Sequence, residues 1–290
     1  MTVIMGATGA TGGALLQRLV ALGVPSRALS RDPDRLRARL GGAAGSLVEV
    51  RAADAADPAS LRAAFKGARQ LFLAMANGPE QVELEQRAIR AAADSGIEHI
   101  VKVSSPAAEP DSPVAVARGH HAVEQYLAAA GPAYTVLRPY AFMQNLLLLA
   151  PAIAAGGAIE GAMRDAPCNY VDCRDIGDVA AEVLTRPELA GRAYTLTGPQ
   201  AVSHPGLASA LGLLLGRPVP CADLPPQELY DRLVRRAHLP EWLAAHVVEI
   251  QQLAVDRPEE PTDTVARLLG RAPRSLDAFL REHLELFRTR

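Results

Sequence analysis

The sequence predicts an α/β protein, a doubly wound parallel sheet with a smaller, mostly helical C-terminal subdomain. Three observations predict it. Short β-type runs alternate with amphipathic stretches rich in Ala, Leu and Arg. The first run leads into a glycine-rich turn and then a helix. After about Pro139 the alternation breaks into helical pieces punctuated by proline. Strands separated by helices in strict alternation give a parallel sheet covered on both faces. Ligands of such sheets bind outside the carboxyl ends of the strands.

The β-type runs are Thr2 to Met5, Pro25 to Leu29, Leu47 to Arg51, Gln70 to Leu73, His99 to Val103 and Tyr134 to Leu137, with good helix formers between them. The apolar run from Leu146 to Ala155, extended to Ile159, is interrupted by Pro151, Gly156 and Gly157. It is shorter than the roughly 20 residues that a bilayer demands, so it reads as a buried helix and the turn after it. Val171, Asp172 and a helical stretch from Arg174 to Thr185 precede one more strand-like piece, Ala193 to Thr197. Beyond it, Pro218, Pro220, Pro225, Pro226, Pro240, Pro258 and Pro261 cut the chain into short helices.

Composition narrows the partners. Among 290 residues, 30 basic side chains face 32 acidic ones, with no basic block or acidic tail. That balance argues against an electrostatic nucleic-acid or membrane-surface binder and leaves a small molecule or another protein, for a monomer or homodimer. Cys168, Cys173 and Cys221 are odd in number and lack CxxC spacing, which fits unpaired thiols and no metal site. The opening MTVIMGATGATGG has no charged n-region before its glycines, so a cytoplasmic location is expected. Only Lys66 and Lys102 are lysine, so any mechanism that needs lysine has those two positions.

The first strand runs into Gly6, Ala7, Thr8, Gly9, Ala10, Thr11, Gly12 and Gly13, and then the helix ALLQRLVAL. A dinucleotide site needs a sharp turn at the first glycine, close approach of a pyrophosphate at the second, and helix-on-sheet packing at the third. Helix N–H groups then hold the phosphates. The spacing is GxxGxxG, and the competing reading is a turn that serves packing alone. The second strand ends in ALSRDP, where an NAD-preferring site commonly carries an acid for the ribose hydroxyls. Arg31 stands there instead. A guanidinium fork on a 2′-phosphate is worth roughly one to two decades of preference, so NADP(H) is expected over NAD(H). The alternative makes Arg31 a solvated loop residue before an Asp-Pro helix start, and the nearby Asp32 keeps the question open.

Further strand ends face the same crevice. Asp54 follows the third strand, Met75, Ala76 and Asn77 follow the fourth, and Ser104 and Ser105 end the fifth. Asp54 is expected at the adenine edge and Met75, Ala76 and Asn77 beside the ribose and nicotinamide, with Ser104 and Ser105 facing the same crevice. Each alone fits a cap or turn equally well.

GATGATGG, RALSRDP, HIVKVSS, YTVLRPYAFMQNLL and YVDCRDIGDVAAEVL together resemble the NmrA-like branch of the atypical short-chain dehydrogenases/reductases. The resemblance spans essentially the whole chain and is weakest after about residue 200. It implies a Rossmann domain, residues 1–150 with 170–198 packing back on it, and a substrate-binding or lid subdomain, 151–169 and 199–290. It also implies NADP(H) binding. Members include quinone, ketone and enone reductases and proteins that only sense cofactor redox state, so membership alone does not decide for catalysis.

Typical short-chain reductases pair a tyrosine with a lysine four residues on. Here the residues four after the six tyrosines are Ala130, Arg138, Gln144, Arg174, Gly198 and Val234, so no such pair exists. Lys66 lies in an upstream helix and Lys102 inside a strand, and neither is expected to substitute. In the related ether and lignan reductases a lone lysine occupies the helix that here carries His120. Glu124, four residues on, shares its helical face and is expected to favour a protonated ring. His120 is thus a candidate proton donor, with a ribose ligand or a helix-surface residue as alternatives. His121 is the lesser candidate.

The segment Tyr140, Ala141, Phe142, Met143, Gln144, Asn145 concentrates aromatics in a chain that is only 4% aromatic. It is expected to pass over the nicotinamide, with Phe142 and Met143 against a flat apolar substrate and Tyr140 or Asn145 reaching a carbonyl. An ordinary strand-to-helix transition is the alternative. Asp172 and Asp175 read as structural residues at a helix start. The leading expectation is an NADPH-dependent reductase of a ketone, quinone or enone on an aromatic or polyketide-like molecule. A non-catalytic NADP(H) redox sensor, and an isomerase or epimerase with bound cofactor, are the other readings.

Overall fold

The computed structural model describes residues 1–288. Numbered along the chain, the strands are β1 (Thr2–Met5), β2 (Ser26–Ser30), β3 (Val48–Ala52), β4 (Gln70–Leu73), β5 (His99–Val103), β6 (Ala133–Pro139), β7 (Ala141–Phe142), β8 (Ile159–Gly161), β9 (Cys168–Val171), β10 (Ala193–Leu196), β11 (Ala201–Val202) and β12 (Cys221–Asp223). The helices are α1 (Ala10–Ala21), α2 (Pro33–Leu40), α3 (Pro58–Phe65), α4 (Gln81–Asp94), α5 (Ala115–Ala129), α6 (Ala150–Ala154), α7 (Cys173–Thr185), α8 (His204–Leu215), α9 (Pro226–Arg235), α10 (Glu241–Asp256), α11 (Thr264–Leu269) and α12 (Leu276–Glu282).

Seven strands form one sheet in the order β10-β6-β5-β4-β1-β2-β3. Strands β1 to β6 pair in parallel throughout. The order reverses between β1 and β4, which is the switch point where ligands of open α/β sheets bind. The expected strands are all present with small shifts in their ends. β2 begins at Ser26 rather than Pro25, whose ring nitrogen has no N–H to give the ladder. Two-sided burial explains the near-continuous apolar runs: Val3, Met5, Leu71, Leu73 and Ile100 pack with Leu61 and Phe65 of α3, Ile89 of α4 and Leu127 of α5.

The chain divides into two compact units. One comprises Met1–Pro110, Ala117–Pro139 and Cys173–Thr195; the other comprises Asp111–Val116, Tyr140–Asp172 and Leu196 onward. The division therefore falls at Pro139 and not near residue 150. The reason is local: after β6 the chain leaves the large sheet, and β7 pairs with β9 in a separate sheet of order β11-β9-β7. Met143, Leu146 and Ala150 then fill the core of that second unit. Within the first unit α7 packs back on α1, where Arg18 faces Asp178 at 3.7 Å and Glu182 at 3.9 Å. Among the described residues no helix is long and apolar enough to cross a membrane.

Three imidazoles give the fold a pH dependence. Burial pushes His99, His204 and His246 below the ordinary imidazole value. On unfolding each returns to about 6.5, so at lower pH the unfolded chain takes up protons that the folded one refuses. Stability is expected to be fully present above that value and to fall as the pH drops below it. The urea midpoint should be clearly lower at pH 5.5 than at pH 7.5, and equal midpoints would mean that the rings are not held neutral.

Candidate functional site

The glycine turn opens at the carboxyl end of β1. Gly6 has φ +90°, a conformation that L side chains rarely adopt, and a Cβ there would lie 2.0 Å from the Ala74 carbonyl oxygen after β4. The Gly9 N–H returns to the Gly6 carbonyl at 2.9 Å, and Gly9 is the N-cap of α1 with no side chain to cap it. The N–H groups of Ala10, Thr11 and Gly12 therefore lack intrahelical acceptors, which leaves a positive, donor-rich helix start beside exposed Thr8 and Gly9. A Cβ on Gly12 would sit 2.3 Å from the Gly6 carbonyl oxygen, so helix and turn touch backbone to backbone. This cradle, bare of side-chain carbon where an anion must approach, fits a dinucleotide pyrophosphate.

Arg39, at the far end of α2, donates to the Thr8 carbonyl at 2.7 Å and steadies the turn. No sequence signal marks it, because Arg39 is one arginine among several on a short helix. Arg31 is exposed at the end of β2 and, among the described residues, forms no salt bridge. Asp32 is committed elsewhere: its carboxylate accepts the Arg35 N–H at 3.0 Å as the N-cap of α2. Asp32 thus reads as a cap, and Arg31 is the charged group presented at that strand end. Asp54 is exposed, and its Oδ1 accepts the Ala56 N–H at 2.9 Å within its own turn. Met75 is half-buried and Ala76 and Asn77 are exposed after β4, while Ser105 is half-buried after β5. Ser104 is buried, and its hydroxyl donates to Glu124 Oε1 at 2.5 Å, so the open crevice-facing position expected for it is not what the structure shows.

The largest departure from expectation surrounds His120. Glu124 shares its helix but is engaged elsewhere: Arg138 Nη2 meets its carboxylate at 2.5 Å, and the Ser104 hydroxyl donates to it. His120 is buried and so is no helix-surface residue. Its Nδ1 lies 3.0 Å from Lys102 Nζ, whereas the Gln81 amide nitrogen is almost equally far from both ring nitrogens, 3.4 Å from Nδ1 and 3.5 Å from Nε2, and so selects neither. Lys102, a strand residue not expected to take part, is therefore the charged neighbour of His120.

The fold makes that meeting unavoidable. β5 is covered on both faces, and Lys102 sits in register between Leu73 of β4 and Val136 of β6 with no exposure at all. A buried ammonium needs acceptors. The Val103 carbonyl supplies one at 2.8 Å, and Glu85 of α4, equally buried, approaches at 3.0 Å in a charge contact rather than an aligned hydrogen bond. Burial pushes the Glu85 carboxyl above the ordinary carboxylate value, and Lys102 pulls it back. Gln81 and Glu85, four apart, share one face of α4.

In the second unit Tyr140 is half-buried, and its N–H donates to the Leu196 carbonyl at 3.0 Å. Burial, with Glu259 and Cys168 nearby, pushes its phenol up from the ordinary value. Such a hydroxyl stays protonated and offers a hydrogen bond, not a phenolate. Phe142 is half-buried and Asn145 exposed. Met143 is wholly buried in the unit's core, so a wall position against substrate is not what it occupies. Asp172 and Asp175 are both buried at the start of α7, and Asp172 accepts the Gln144 amide at 2.9 Å. Among the described residues no His, Cys, Asp and Glu cluster could hold a metal ion.

Sheet topology, glycine cradle and helix start together define a dinucleotide-binding α/β protein. The chain belongs to the NmrA-like family, whose model matches residues 1–280. It is 33% identical over 288 residues to an NAD(P)H azoreductase from Xenophilus azovorans, covering 99% of each chain. The same identity and coverage relate it to a (4-alkanoyl-5-oxo-2,5-dihydrofuran-3-yl)methyl phosphate reductase from Streptomyces griseus. Among solved structures, an NADPH-dependent quinone oxidoreductase from Escherichia coli, complexed with NADPH, superposes with a TM-score of 0.87 at 27% identity, over 98% of this chain and 100% of that one.

Proposed function

We propose that this protein reduces a ketone, quinone or enone of an aromatic or polyketide-like small molecule, with NADPH as the hydride donor. It is an NADP(H)-dependent oxidoreductase. The observation that carries the reading is the glycine turn from Gly6 to Gly12 at the switch point, where Gly6 and Gly12 leave no room for a Cβ, in a chain whose full-length relatives are named as reductases. When bound, the cofactor supplies the hydride, and the protein supplies orientation and a controlled environment. Gly6, Thr8, Gly9, Ala10, Thr11 and Gly12 hold the pyrophosphate, and Arg31 takes the 2′-phosphate. Asp54, Met75, Ala76, Asn77 and Ser105 are assigned to the adenine, ribose and nicotinamide. His120 supplies a hydrogen bond at the reacting end. Tyr140, Phe142 and Asn145 are assigned to substrate, with the Tyr140 hydroxyl, kept protonated, as a donor to its carbonyl oxygen. Three free thiols, Cys168, Cys173 and Cys221, favour a cytoplasmic setting.

The test is the loss of NADPH absorbance with a panel of quinones, azo compounds and aromatic ketones. Turnover of at least one class is expected; tight NADPH binding with no turnover across the panel would overturn the reading in favour of a redox sensor. Arg31→Ala is expected to weaken NADPH by roughly tenfold to a hundredfold while leaving NADH affinity unchanged. Equal losses for the two cofactors would remove Arg31 from the 2′-phosphate.

A further inference from the structure

We infer that Lys102 is a positioning residue for His120, fixing its ring as the neutral tautomer with the proton on Nε2. An ammonium carries three N–H donors and no acceptor. Those of Lys102 have three neighbours within 3.0 Å: the Val103 carbonyl, the Glu85 carboxylate and His120 Nδ1. A group that can only donate requires Nδ1 to accept, so Nδ1 carries no proton. The single proton of the neutral ring then resides on Nε2. A doubly protonated ring would turn Nδ1–H toward the ammonium and set two cations against each other inside a buried site. The only carboxylate on the ring's own helix face, Glu124, is already shared by Arg138 and Ser104.

The consequence alters the role of His120. A neutral ring with Nε2–H gives a hydrogen bond, to a ribose hydroxyl or to an oxygen gaining negative charge, without surrendering its proton. The proton that completes reduction then comes from a group other than His120. This deepens the reading given above and rests on it for the reaction, although the tautomer itself is independent of turnover.

The test is nitrogen NMR of the full-length protein carrying 15N-histidine, recorded near neutral pH with and without NADPH, with H120Q to assign the ring. The native ring is expected to show Nδ1 at a pyridine-like shift and Nε2 at a pyrrole-like shift. In the double variant K102M/E85M the two shifts should move toward each other as both tautomers become populated. Replacing a buried ion pair by apolar residues of similar volume is often neutral for stability, so this variant is expected to fold. A native ring with its proton on Nδ1, or doubly protonated, overturns the inference whether or not the variant folds. An unchanged Nε2–H tautomer in the folded double variant also overturns it, since Lys102 would not then be its cause. Failure to reduce any compound in the panel defeats the functional reading and leaves the tautomer result standing.

Discussion

Gly12→Ala is expected to destabilise the protein by about 3 kcal/mol, the upper range for forcing a methyl group into a packed site, and to lower NADPH affinity at least tenfold. The new Cβ would lie 2.3 Å from the Gly6 carbonyl oxygen, 2.7 Å from its carbon and 3.1 Å from the Ala7 nitrogen. All three are backbone atoms, so no side chain can rotate away. The turn cannot retreat either, because Gly6 is itself against the Ala74 carbonyl. Helix α1 must therefore shift, and its start is the proposed phosphate site. Gly13→Ala is the control. Its nearest neighbours would be the Ala7 carbonyl at 3.6 Å and an Arg39 nitrogen at 3.9 Å, ordinary contact distances. It should be neutral or slightly stabilising, since alanine favours a helix over glycine by roughly 1 kcal/mol. Urea midpoints and NADPH fluorescence titrations measure both effects. Similar behaviour of the two variants would show that the backbone contact at Gly12 is not limiting.

Lys102→Met alone should cost about 3–5 kcal/mol, the usual penalty for removing one partner of a buried ion pair. Glu85 would be left in the core without the ammonium that lowers its proton affinity. The sign of the pH dependence follows. A carboxyl held above its unfolded value contributes no penalty at low pH, where both states are protonated. The penalty grows as the pH rises through the ordinary carboxylate range, because only the unfolded chain then ionises freely. The loss in Lys102→Met should thus be smaller at pH 4.5 than at pH 7, and adding Glu85→Met should recover most of it. An equal loss at both pH values, or no recovery in the double variant, would show that the charge pair is not the source.

The sequence by itself determined the architecture, the family and the glycine turn. Each of these depends on local order along the chain: alternation of strand and helix, a turn that follows β1 directly, and the absence of any tyrosine-lysine pair at the required spacing. The charge at the end of β2 was legible for the same reason, and the structure added only that Asp32 caps α2 and leaves Arg31 presented.

Tertiary structure alone decided the surroundings of His120. Spacing along α5 pointed to Glu124, four residues on, whereas Lys102 lies 18 residues away on a strand, and Gln81 lies 39 residues away on another helix. Helical periodicity shows which residues share a face, but not which strand residue that face covers. The same limit placed Met143 on a substrate wall when β7 in fact turns it into the second unit's core. A strand buried on both sides hides its one lysine from any reading based on exposure. Only the packing of α4 and α5 over β5 shows that the buried charge has a carboxylate and an imidazole to meet. The scarcity of lysine excluded the usual catalytic pair, and the fold gave one of the two lysines a place beside the histidine.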